Sequence, residues 1–350
     1  MNQNNIVLIL SQYGKFLTPF ILFFIFKNRL EKKPADFMKI SILILLLLSF
    51  QIFLSFIKLT TIGITETTVG SIAYMGGGPA TIIPALGFIF IWMLKRGQLS
   101  KKDWCFVILL IFIAFMSLKR SIWFIMPSII LLFIFYVPKK KLPIRLVWIL
   151  PLLPVLFYLG VRLNPTLNKE QKMWGSFDLN FVTNYVQKYN FGDANKIGSD
   201  KKLGQGRGGA TLLLLNKLSS PEKLNWQDYF GYGLEEFVTT DYDNFNESKF
   251  GVNSRGAVTG FFNTYISFGF IGVGIFLIYA FSLINYIKNN RIKYVIIGLF
   301  IWEYFFYIGM IFSTQAVCIL FIYIILYLSK HKEIRMLPII TNNKRGMLPI

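Results

Sequence analysis

Residues 104–137 read WCFVILLIFIAFMSLKRSIWFIMPSIILLFIFYV, and the only strong polar break in this run is Lys119-Arg120. At about 1.5 Å of helical rise per residue the run is too long for one membrane crossing and only just long enough for two. It reads as a tight helical hairpin with a basic pair at its tip. Residues 294–328 repeat the arrangement, broken by Ser313-Thr314-Gln315. Working outward from these two hairpins, apolar runs of spanning length lie at 6–26, 37–57, 79–94, 104–118, 121–137, 146–162, 261–286, 294–311 and 315–328. The fold class expected is an all-α polytopic integral membrane protein of nine spans, or seven if each tight pair counts once.

Composition agrees with this pattern. Hydrophobic residues make up 54% of the chain and charged residues only 15%, where a soluble domain carries about a quarter. The net charge of +20 would otherwise suggest nucleic acid, but the basic residues fall in short clusters between apolar runs, so a soluble nucleic-acid binder is excluded. The connections 27–36, 95–103, 138–145, 288–293 and the tail 329–350 alternate on one side and hold 20 Lys and Arg against 4 acidic residues. By the positive-inside rule that side is cytoplasmic, which places the N-terminus outside and the C-terminus inside. The first span is expected to act as its own insertion signal, because nothing basic precedes it.

The chain therefore divides into a six-span bundle over 1–162, an outward loop over 163–259, a three-span bundle over 260–328 and a cytoplasmic tail over 329–350. The loop holds 11 basic and 11 acidic residues and no cysteine. A connection this long is usually functional. Phe177, Phe181 and Tyr185 are spaced to give a surface helix one apolar face. Six glycines between 192 and 209 then surround Arg207, just before a short apolar helix. Free N–H groups and the dipole at a helix start suit such an arginine to an anion; the other reading is a linker with a surface arginine. Asp241 and Asp243 form an Asp-x-Asp pair, a weak metal signal that equally suits a solvated loop. Cys105 and Cys318 fall inside spans and read as small packing residues.

The residue inventory restricts the chemistry. The single histidine, His331, lies in the tail, so a Ser-His-Asp triad, a Cys-His pair and a zinc site are all excluded. No P-loop or dinucleotide fingerprint is present, and neither a cofactor nor a metal is expected. Arginine and carboxylate remain. The hairpin arms are short for a hydrocarbon core of about 30 Å, which sets Lys119 and Arg120 slightly below the outer surface. A charge there meets an anion such as a lipid-linked diphosphate, or it snorkels to headgroups. Arg162, Arg207 and Arg255 face the same side. Lys15 and Glu303 lie within spans and would pair with each other if not functional. Glu66, before Gly76-Gly77-Gly78-Pro79, is a candidate base or sugar contact.

Three features resemble the O-antigen and capsular polysaccharide polymerase (Wzy) family, relatives of the O-antigen ligases. They are the basic hairpin tip Met116-Ser-Leu-Lys-Arg120-Ser-Ile-Trp-Phe124, the loop segment Gly231-Tyr232-Gly233-Leu234, and the span entry Phe262-Asn263-Thr-Tyr265-Ile-Ser-Phe-Gly269-Phe-Ile-Gly272. The last is similar to the family's Asn-x-Tyr stretch followed by Gly-x-x-G. The resemblance covers roughly 104–286. It implies a metal-independent glycosyltransferase of the bacterial inner membrane, acting in lipopolysaccharide or capsule biosynthesis. Such an enzyme moves a growing glycan from undecaprenyl diphosphate onto a new lipid-linked repeat unit. Arg120, Arg207 and Arg255 would hold the diphosphate, with Glu66, Asp228, Glu235 and Glu236 the candidate bases. Arg162, Lys119, Asn263, Tyr232 and Glu235 would contact substrate. The implied partners are the lipid-linked oligosaccharide, membrane lipid, a chain-length regulator and a flippase. Phe262 stands where the ligase branch carries a histidine, which favours polymerase over ligase. The rival from another class is a lipid-linked oligosaccharide transporter, which would show internal repeats and broken spans.

Overall fold

The computed structural model describes residues 3–33, 36–65, 68–71, 77–117, 119–133, 137, 152–191, 219, 224–233, 259–307, 309, 311 and 314–330. The secondary structure of the described residues is all helical, with turns and short loops between the helices and no strand among them. The helices are α1 (Gln3–Lys32), α2 (Asp36–Thr61), α3 (Gly77–Leu94), α4 (Lys101–Met116), α5 (Ile122–Leu131), α6 (Leu152–Leu163), α7 (Leu179–Phe191), α8 (Trp226–Phe230), α9 (Gly260–Asn285), α10 (Asn290–Phe306) and α11 (Gln315–Lys330). Each of the nine apolar runs overlaps one of these helices, with α5 and α6 covering only part of the runs 121–137 and 146–162, and α7 and α8 belong to the long loop.

α3 and α11 are apolar on every side, and a helix of that kind belongs in a core. Ile82, Leu86, Phe88 and Phe90 of α3 and Phe321, Ile322, Tyr323 and Ile324 of α11 are fully buried. α3 also packs on α4 and α5, and α11 packs on α1 and α9. Tyr323 adds a polar clasp to α2: its hydroxyl lies 2.6 Å from that of Ser41 and 2.7 Å from the Phe37 carbonyl oxygen.

α2 is sorted by helical period. Phe37, Ser41, Ile44, Leu48, Ile52 and Ser55 face inward at intervals of three and four, while Met38, Ile42, Leu46 and Phe53 on the other face are exposed. Ile271, Ile275 and Ile278 make a similar outward stripe on α9. α2 and α9, each of 26 residues, are long and apolar enough to cross a membrane, while the apolar parts of α3 and α11 are shorter.

Three expectations are sharpened. α5 is a helix of 10 residues, shorter than the 17-residue arm read from the sequence; Leu132 continues it as its C-cap, and residues 134–136 are outside those described. The run 261–286 is helical but not one straight rod, because Gly269 has φ 66° and ψ −168°. Glu303 is buried in α10, while the Lys15 side chain is outside those described. As for the cysteines, Cys318 is buried in the core and Cys105 is on the exposed face of α4.

Candidate functional site

The hairpin tip is assembled from α4 and α5 and is braced by α3 and α7. Phe115 and Trp123 clasp the two arms, with ring centroids 4.1 Å apart. The hydroxyls of Ser121 and Thr81, 2.9 Å apart, tie the tip to the start of α3. Arg120 and Lys119 are both half-buried, and the Arg120 guanidinium lies 4.8 Å from the ring centroid of Tyr185 on α7. A guanidinium over an aromatic face is attracted by the ring's quadrupole. The surface helix expected around Phe181 and Tyr185 is therefore present, and it meets the tip. Val182 of this helix is buried, packed on Val161 and Leu167, while Phe177 lies ahead of the helix start.

An apolar groove of about 510 Å³ lies between α5 and α10. Ile125, Ile129 and Leu132 form one wall, and Val295, Leu299 and Trp302 form the other. Gly298 leaves the floor open, since a Cβ there would meet nothing within 4 Å. Ile125 lies in the first turn of α5, five residues along the chain from Arg120.

Arg162 is held differently. Its Nε donates to the Gly175 carbonyl (3.0 Å), Nη1 to the Tyr158 hydroxyl (3.0 Å) and Nη2 to the Trp174 carbonyl (3.5 Å). The plane also lies 5.4 Å from the Trp174 ring. The guanidinium expected to touch substrate is thus engaged in stapling the loop after α6. Asn168, which the sequence reading passed over, is the centre of that loop. Fully buried, it donates to the carbonyls of Asn164 (3.0 Å) and Lys172 (2.7 Å) and accepts from the Lys172 N–H (3.2 Å). At the loop's edge, Lys172 and Ser176 hold the Glu170 carboxyl below the usual carboxylate range.

A second cluster joins two of the segments that carried the resemblance. α8 packs on α9 through paired glycines. Gly231 (φ 93°) sits against the Ser267 carbonyl, and Gly269 sits against the backbone of Tyr229 and Phe230, so close that a Cβ on either would collide with main chain. Tyr232 N–H donates to the Ile266 carbonyl (2.7 Å), one of the acceptors near the break in α9. Beneath this contact Asp228 is fully buried. Its Oδ2 accepts from Asn225 N–H (2.6 Å), and its Oδ1 accepts from the Tyr232 hydroxyl (2.8 Å) and from the Tyr265 hydroxyl.

This geometry revises two readings. Asp228, with both oxygens bonded and no exposure, is a joint between loop and helix rather than a base open to a sugar hydroxyl. Tyr232, expected to touch substrate, has its hydroxyl on Asp228. Asn263 is half-buried two residues from Tyr265 on the same helix. The tip is built on α4 and α5, braced by α3 and α7, and the joint on α8 and α9. Glu66, Arg207, Glu235, Glu236, Asp241, Asp243 and Arg255 lie outside the described residues. Among the described residues no three His, Cys, Asp or Glu side chains converge as a metal site would require.

Comparison with protein-family models, curated proteins and solved structures yields no match. The functional reading rests on the chain's own residues.

Proposed function

We propose that the chain is a nine-span protein of the bacterial inner membrane, N-terminus outside and C-terminus cytoplasmic, that polymerises lipid-linked polysaccharide repeat units. The membrane reading is supported by the apolar outer faces of α2 and α9, which would be costly against water. The observation that carries the catalytic reading is the half-buried Lys119-Arg120 tip together with the apolar groove between α5 and α10, whose wall starts at Ile125, five residues along the chain. A basic head over an apolar slot suits a lipid diphosphate, with its charge on the guanidinium and its tail in the groove.

In this mechanism a hydroxyl at the non-reducing end of the incoming unit attacks the anomeric carbon of the growing glycan. The bond from that carbon to the diphosphate oxygen breaks, and the diphosphate leaves on its lipid. Arg120, with Arg207 and Arg255, takes up the charge developing on the leaving group, so the step needs no metal. The hydroxyl proton passes to a carboxylate, for which Glu66, Glu235 and Glu236 remain the candidates; Asp228 positions the loop. O-antigen and capsule are both polymers of this type, and a flippase and a chain-length regulator are the natural partners.

Removing a charge-stabilising donor typically costs 100- to 1,000-fold, order of magnitude ~10²–10³, in turnover. Cells carrying Arg120→Ala are expected to display single-repeat glycan on gels, with Arg120→Lys intermediate. Full-length polysaccharide from Arg120→Ala at normal protein level would overturn the mechanism. One observation favours transport instead: α9 is broken at Gly269, as transporter helices often are. Near that break, however, the Ile266 carbonyl is bonded by the loop's own Tyr232. Loss of all surface glycan in the Arg120 variant would favour transport.

A further inference from the structure

A cavity of about 320 Å³ lies at the other end of the bundle, where α1, α9 and α11 finish and α2 begins. Its apolar wall is Leu30, Phe37 and Leu326. Two lysines far apart in sequence converge on it. Lys27 Nζ donates to the Tyr286 hydroxyl (3.3 Å) and lies 5.2 Å from that ring's centroid. Lys330 Nζ lies 3.5 Å from the Leu30 carbonyl and 5.1 Å from the Phe37 ring. Among the described residues neither ammonium is in an ion pair, whereas nearby Arg29 is neutralised by Asp36 at 2.9 Å. Glu31, also on the wall, is the one carboxylate lining the cavity among the described residues.

Two ammoniums facing one cavity repel each other. The helix ends at Lys32, Asn285 and Lys330 bring partial negative charge that tolerates them, but a carbonyl end is not a counter-ion. The two lysines outnumber Glu31, while the Ser329 hydroxyl donates its proton to the Leu326 carbonyl (2.7 Å), which leaves the lysines as the cationic donors on the wall. A cationic rim on an apolar wall matches a phosphate ester carried on a hydrocarbon chain. In the orientation proposed above, this end faces the cytoplasmic leaflet, whose acidic lipids are drawn to basic pockets between helices.

We infer that the cavity between α1, α9 and α11 binds the phosphate of an acidic phospholipid, held by Lys27 and Lys330. The inference rests on the membrane reading and is independent of the polymerase reading, because its test measures lipid binding and not glycan. The purified full-length protein in neutral detergent is titrated with phosphatidylglycerol, phosphatidylcholine or inorganic phosphate, and bound lipid is counted by native mass spectrometry. Phosphatidylglycerol is expected to bind at least about tenfold more tightly to the wild type than to Lys27→Ala/Lys330→Ala. A Lys101→Ala/Lys102→Ala control, with the same loss of charge on the same side, should bind as the wild type does. If the double variant does not fold, each single variant is measured alone and is expected to show a partial loss.

Equal binding by the lysine variants and the wild type would overturn the site, as would an absence of bound phosphatidylglycerol in the wild type. Equal affinity for phosphatidylcholine would overturn the requirement for an acidic headgroup. Competition by inorganic phosphate at concentrations matching the lipid would overturn the lipid as the source of the phosphate.

Discussion

Asp228 shows how burial changes what a residue can do. In the sequence it is one of several loop carboxylates within reach of a sugar. In the fold it accepts two tyrosine hydroxyls and a backbone N–H out of solvent. Hydrogen bonds to a charged group are worth about 1.5–3 kcal/mol each, and a buried donor left without an acceptor costs a similar amount. Asp228→Asn is therefore expected to lower the thermal midpoint in detergent and to speed protease cleavage within the 163–259 loop. Tyr265→Phe should reproduce part of both effects, and the double variant should cost less than the sum. An Asp228→Asn protein with unchanged melting and proteolysis but no polymer would make Asp228 a base after all. Arg162 carries the same lesson, since three of its five N–H donors go to Gly175, Tyr158 and Trp174.

At the scale of elements, the contact between α8 and α9 depends on two backbones approaching with no side chain between them. Gly269 has a positive φ, which an L side chain tolerates poorly, and Tyr229 and Phe230 occupy the space a Cβ would need. Gly269→Ala is expected to cost roughly 1–3 kcal/mol from the backbone conformation alone, and more from the displacement of α8. Gly298→Ala on α10 meets open space and serves as the comparison. Equal melting temperatures for the two alanine variants would show that the joint contributes nothing. Gly-Tyr-Gly and the later Asn-x-Tyr with its glycine were legible in the sequence as separate features. Their docking was not, because the residues that meet are about 37 positions apart, as Asp228 and Tyr265 are.

For the molecule as a whole, the outward apolar faces and the sided charge lead to a prediction about topology. Ser219 lies in the long loop and Gln98 in the connection between α3 and α4, and both are exposed. With Cys105 and Cys318 replaced by serine, Ser219→Cys should react with a membrane-impermeant maleimide in intact spheroplasts. Gln98→Cys should react only after lysis. Labelling of Gln98→Cys from outside would reverse the orientation.

Local pattern alone indicated roughly where the long helices lie, though not the extent of α5 or the break in α9. An unbroken apolar run satisfies its own backbone within four residues, so α1 to α6 and α9 to α11 could be read without knowing their neighbours. Charge clusters are equally local and carried the expected sidedness. Tertiary structure decided the rest. It determined that α3 and α11 form the centre, that α9 breaks at Gly269, that Asp228 and Arg162 serve the scaffold, and that Lys27 and Lys330 share a cavity. Each of these depends on a partner distant in sequence, and such a partner is specified by packing rather than by spacing along the chain.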